Sequence, residues 1–166
     1  MTLMEQNLKI LHLAVLTVGH FEELRKWRDA QRDILRTKDD MEPSEYRRYL
    51  LEDECKRYSN ENHMYGIEAD GKFVAFGGLT HINWLTHSAE LSFICVSHEY
   101  YEAAFRFHLR VSSEIFFSNS YYNGKVLISE TYPFRDYHMY LMEREGFKRK
   151  SIIHELTREN YEHLTS

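Results

Sequence analysis

Basic clusters, disulfide frameworks and long apolar runs are all missing from this chain, and each absence removes a class of function. Its 21 Lys and Arg are outnumbered by 26 Asp and Glu, for a net charge of −5 at pH 7 with His neutral, and they are dispersed among the acids. No electrostatic footprint for nucleic acid is present. The two cysteines, Cys55 and Cys95, have neither metal-type spacing nor the even framework of a small secreted domain. Both are expected to be reduced and buried. The stretch from Met1 to Lys9 is polar and unlike a signal peptide, and no apolar run approaches the roughly 20 residues that span a bilayer. The expectation is a cytoplasmic protein with no membrane partner. Ten histidines include no His-Glu-x-x-His and no Cys-His cluster, so no metal site is expected. Ser112, Ser113 and Ser118 lack the glycine elbow of a serine hydrolase. There is no internal repeat, low-complexity stretch or linker.

What is present suffices for one compact domain over residues 1–166, since 43% of the residues are hydrophobic and 14% aromatic. Leu8 to Val18 is aliphatic and β-branched and ends at Gly19, which predicts a first strand. Leu24, Trp27, Gln31, Ile34 and Leu35 then recur at helical spacing. Pro43-Ser44-Glu45 opens a second helix to about Tyr58, with Tyr46, Leu50, Leu51, Cys55 and Tyr58 inward. Asp70-Gly71 between Met64–Ala69 and Phe73–Thr80 signals a tight hairpin, and the meander continues into Ala89–Val96. Glu102 to Phe117 carries a wide apolar stripe, Lys125 to Ser129 reads as a central strand, and a helix after Pro133 runs to Glu145 and stops at Gly146. Ser151 to Leu156 predicts a last strand, and the tail from Thr157 is polar. The order β-α-α-β-β-β-α-β-α-β implies an α/β (α+β) fold: a mixed, mainly antiparallel central sheet flanked by helices on both faces.

Three local sequences carry a resemblance. Leu24-Arg-Lys-Trp-Arg-Asp29 is similar to the Trp-Arg-Asn that opens the first helix in some branches of the GNAT superfamily of N-acetyltransferases. Ala89-Glu-Leu-Ser-Phe-Ile-Cys-Val96 is similar to that family's central strand, and Met142-Glu-Arg-Glu-Gly-Phe147 resembles its Tyr-Glu-Lys-x-Gly-Phe signature. With the order of elements, the resemblance covers about residues 8–156. It implies transfer of an acetyl group from acetyl-CoA to a primary amine of an amino sugar, a protein N-terminus or a small metabolite. The partner is then a small-molecule or peptide amine, with a homodimer left open.

The resemblance also assigns roles. Glu90 interrupts an apolar strand where histone-type members carry a general base; strand alternation allows instead a side chain turned to solvent or an ordinary salt bridge. Cofactor binding falls on Ile94 and Val96 at the strand end and on Tyr101, Glu102, Ala103, Ala104, Phe105 and Arg106. That stretch stands where the family has Gln/Arg-x-x-Gly-x-Gly/Ala, whose bare N–H groups approach a pyrophosphate. The glycines are absent here. Arg106 and Arg110 could pair with phosphates instead; alternatively Ser97 caps the helix, Glu99 and Glu102 satisfy its dipole, and no anion binds. The family's acid tyrosine falls on Met142. His138, four residues away, shares that helical face, and Tyr140 becomes the acid only if the helix is shifted. Without the glycines and the tyrosine, the competing reading is a domain that has lost CoA binding and serves as a protein-interaction or structural module.

Overall fold

A computed structural model describes residues 7–32, 41–56, 60–131, 135–150 and 153–166. An antiparallel meander is formed by β1 (Leu8–His12), β2 (His63–Ala69), β3 (Lys72–Asn83) and β4 (Ser88–Ile94). The β2–β3 turn is the predicted Asp70-Gly71 pair, with φ of 51° and 81°, the positive angles that a two-residue turn needs to match strand twist. A crossover through α3 (Tyr101–Ser113) brings β5 (Val126–Glu130) parallel to β4. Beyond it β7 (Ile153–Thr157) and β6 (Lys148–Lys150) add antiparallel, giving the order β1-β2-β3-β4-β5-β7-β6.

Helices cover both faces, as expected. α1 (Val18–Ala30) and α2 (Pro43–Glu54) pack Phe21, Leu24 and Leu50 against Phe76 and Ile94. On the other face α3 and α4 (Asp136–Arg144) pack Phe105, Leu109, Leu141 and Met142 against Leu79, Ala89, Leu127 and Leu156. Leu91 and Phe93 lean on that second core. Alternation therefore turns Glu90, Ser92 and Ile94 towards α1 and α2. One departure from regularity positions the site: β4 and β5 pair only at Ser88, Ala89 and Glu90. From Leu91 to Ile94 the β5-facing edge of β4 has no strand partner among the described residues.

Several boundaries differ from expectation. The first strand ends at His12 and passes through a short turn at Leu13–Val15. Gly19 lies in the first turn of α1, because Thr17 and His20 cap that helix reciprocally: the Thr17 N–H donates to His20 Nδ1 at 2.9 Å. Cys55 is exposed, whereas Cys95 is buried as expected. α2 buries Leu50 and Asp53, and a residue two beyond Asp53 falls on nearly the opposite side. α3 starts at Tyr101 with no side-chain cap; Ser97 Oγ accepts only the Tyr100 N–H, at 3.4 Å. Its end widens into a π-turn at Glu114–Ser118.

The polar tail folds as α5 (Arg158–Thr165), with Thr157 Oγ1 accepting the Asn160 N–H at 3.2 Å. Tyr161 of α5 stacks on Phe117, 4.9 Å between centroids. Gly146 terminates α4 at φ 93° as predicted. The expected helical residues Ile34, Leu35 and Tyr58, the helix-opening Pro133, and Ser151 and Ile152 of the last strand lie outside the described residues. Among the described residues no helix is long and apolar enough to cross a membrane.

Candidate active site

Where β4 and β5 part, two cavities open. The first, about 450 Å³, is bordered by Phe21, Leu24 and Tyr46 on one face of the sheet and by Phe105, His108 and His138 on the other. The second, about 410 Å³, lies at the end of β4 and the first turn of α3, against Val96, Ser97, His98 and Tyr101. The N–H groups of that first turn have no intrahelical acceptor and carry the positive end of the helix dipole. Arg135 and His138 border both cavities.

Glu90 borders the first cavity, its side chain 22% exposed, with Oε2 lying 2.8 Å from His81 Nδ1. The strand thus presents the carboxylate to the cavity and to the His81 ring together. Glu61, Asn62 and Glu130 border the same cavity. Asn62 is held in place from both sides: Asp53 accepts its backbone N–H at 2.9 Å and its amide at 3.0 Å, and its own Oδ1 accepts from Thr80 Oγ1 at 2.8 Å.

At the junction of the cavities stand Tyr101, Arg135 and His138. The Tyr101 hydroxyl is 2.5 Å from His138 Nδ1 and accepts from Arg135 Nη2 at 3.1 Å. Phe105 stacks on the His138 ring at 4.1 Å. Burial, reinforced by the Arg135 charge, holds His138 well below the ordinary histidine range, so the imidazole is neutral at neutral pH. Burial pushes the Tyr101 hydroxyl up to about 12 against the opposing pull of Arg135.

The other residues singled out in the sequence are dispersed. Val96 and Tyr101 border the second cavity and Phe105 the first. Ile94 and Ala104 are buried in the packing on opposite faces of the sheet, because each is apolar and faces a helix or the sheet directly. Ala103 borders neither cavity. Glu102 Oε2 accepts from the Tyr137 hydroxyl at 2.7 Å. Arg106 and Arg110 both bind Glu145, at 3.1 and 3.2 Å, so a phosphate would have to compete with that carboxylate. Tyr140 is 52% exposed on the outer face of α4, stacked on Tyr137 and approached by Arg144, and borders neither cavity. Met142 is fully buried. Sequence reasoning passed over Arg135, Glu61, Asn62 and His81; none lies in a local motif, and only the polar interruption of an apolar run at Glu90 signalled that face. Among the described residues no group of three His, Cys, Asp or Glu could hold a metal ion.

No protein-family profile and no curated protein sequence matches the chain. Solved structures do. The protein is similar to spermidine N-acetyltransferase from Vibrio cholerae in complex with CoA and spermine, at 12% identity and a TM-score of 0.75 over 93% of this chain and 97% of that one. It is also similar to a dodecameric structure of spermidine N-acetyltransferase from Vibrio cholerae in an intermediate state, at 13% identity and a TM-score of 0.75 over 96% and 98%. What is shared at such identity is the fold, and it is the GNAT fold.

Proposed function

We propose that the protein is an N-acetyltransferase that moves an acetyl group from acetyl-CoA to a primary amine, the acceptor being a small metabolite amine, an amino sugar or a protein N-terminus. The observation that carries this reading is the meeting of two cavities at His138 and Arg135, one bordered by carboxylates and the other by the start of α3. The likeness to a structure solved with CoA and spermine supports it.

The donor side fits the cosubstrate through three features. The edge of β4 from Leu91 to Ile94, which has no strand partner among the described residues, offers backbone groups to an extended amide chain such as pantetheine. The first turn of α3 offers N–H groups to a diphosphate. Arg135 supplies a cation at the second cavity. On the acceptor side Glu61, Glu90 and Glu130 suit an ammonium group. Glu90 takes one proton from the bound ammonium, directly or through water, and passes it to solvent; the neutral amine nitrogen then attacks the thioester carbonyl and loses its second proton to the same carboxylate. Cleavage of the carbon–sulfur bond leaves the electron pair on the departing thiolate.

The reading includes a cytoplasmic location and a homodimer, tested by cell fractionation and light scattering. A second reading, a domain that has lost CoA binding and serves as an interaction module, is favoured by one observation: Glu145 occupies both Arg106 and Arg110. Calorimetric titration with acetyl-CoA and free CoA decides between them. Micromolar binding with turnover on spermidine, an amino-sugar nucleotide or a peptide N-terminus supports the enzyme; no heat at millimolar acetyl-CoA supports the module.

A further inference from the structure

Acetyl transfer ends with a thiolate that needs a proton, yet the α4 position that the resemblance gives to the acid is occupied by Met142, buried and without a proton to donate. Tyr140, the other candidate on that helix, faces outward. The groups that do stand where the cavities meet come from two helices: Tyr101 opens α3, Arg135 caps the start of α4 and His138 lies in its first turn.

We propose that proton delivery to the leaving thiolate has moved to a relay, in which His138 Nε2–H protonates the sulfur, Tyr101 recharges His138 through Nδ1, and Arg135 stabilises the resulting phenolate. This rests on the acetyltransferase reading above. Arg135 can only donate, so the Tyr101 oxygen accepts from it. The relay assigns the single phenolic proton to the bond with His138 Nδ1, 2.5 Å away. A neutral imidazole that accepts at Nδ1 carries its proton on Nε2. Stacking on Phe105 fixes the ring plane.

The step balances. The amine, neutral once its first proton has passed through Glu90 to solvent, forms its bond to the acetyl carbon and gives its second proton to the ionised Glu90; the carbon–sulfur bond breaks with its pair on sulfur. Sulfur takes the Nε2 proton as Nδ1 takes the phenolic proton, leaving a neutral imidazole and a phenolate beside a guanidinium. Solvent in the second cavity, which Tyr101 borders, returns the proton to the phenolate. Burial and the Arg135 charge disfavour an imidazolium at His138, so the relay draws its proton from the phenol beside it, with Arg135 offsetting the burial that holds that proton. His138 is the catalytic residue, and Tyr101 and Arg135 act through it as positioning and recharging groups.

The test compares the parent with Tyr101→Phe and His138→Gln on two donors: acetyl-CoA, and an S-aryl thioacetate whose more acidic thiol leaves without a proton. The proposal expects kcat on acetyl-CoA to fall at least ~10²-fold in each variant, the usual range for losing an acid catalyst. Acetyl-CoA binding measured by calorimetry should change less than ~3-fold, and the deficit should shrink to a few-fold on the aryl donor. A merely structural role would lower both donors equally, and that result overturns the relay, as does a parent-like rate in Tyr101→Phe. A parent that neither binds nor turns over acetyl-CoA overturns the acetyltransferase reading itself, and the relay with it.

Discussion

Asp53 links the stability of the fold to the edge of the first cavity where Glu61 and Asn62 stand, so replacing it tests both. Asp53 is 4% exposed, and its carboxylate accepts the Glu61 N–H at 3.1 Å, the Asn62 N–H at 2.9 Å and the Asn62 amide at 3.0 Å. Asp53→Ala leaves two backbone donors and one amide without that acceptor. Hydrogen bonds to a charged group contribute about 1.5–3 kcal/mol each, but bonds sharing one carboxylate do not add independently. The expected loss is ~3 kcal/mol, a large share of the ~5–15 kcal/mol that holds a domain together. Asp53→Asn keeps one acceptor oxygen and should lose about half as much. Urea denaturation at neutral pH, read from the midpoint at constant slope, measures both. Because Glu61 and Asn62 border the first cavity, the proposed acetyltransferase reading expects the Michaelis constant for the amine to rise while acetyl-CoA affinity stays near that of the parent. A loss below ~1 kcal/mol in Asp53→Ala, or a larger loss for Asn than for Ala, would refute this account.

Glu90→Gln should leave CoA binding nearly intact and lower turnover by ~10²–10⁴-fold, with the acidic limb of the pH–rate profile lost; an unchanged rate removes Glu90 from the reaction. Gly146→Ala places a side chain at φ 93° and a Cβ against Leu164 Cδ1. Since Leu164 is exposed on α5 and can move, the expected loss is the backbone cost of ~1 kcal/mol, measured by denaturation. His108 is fully buried, and burial lowers it to about 3. Between that value and the unfolded value near 6.5 the unfolded chain binds one more proton than the folded one, so stability rises with pH by ~1.4 kcal/mol per unit in that window and is lost as pH falls. His108→Phe should flatten the slope by one proton between pH 4.5 and 6.5; an unchanged slope would show that other groups set it.

Features that depend on adjacent residues were readable in the sequence. Asp70-Gly71 specifies its turn because two positive φ angles are needed within two residues, and Gly146 stops α4 because the next backbone conformation is left-handed. Alternation and helical spacing gave the order of elements from β1 to α4 and the strand at Ile153–Thr157, but not β6 (Lys148–Lys150), a three-residue strand with no apolar residue to signal it. The capping of α1 by His20 and the docking of α5 were missed: an imidazole is an uncommon cap partner, and α5 has few apolar residues and depends on Phe117 to hold Tyr161.

The candidate site divides along the same line. Glu90 could be picked out because one carboxylate breaks an apolar strand, and His138 because it shares a helical face with Met142. What Arg106 and Arg110 bind depends on Glu145, 39 and 35 residues away, and the bond between Tyr101 and His138 spans 37 residues. Sequence alone determined which side chains were available for acid, base and anion contacts, since residue type sets their protons and charges. Tertiary structure decided which of them meet, because partner choice, burial and the parting of β4 from β5 arise only when distant helices pack across the sheet.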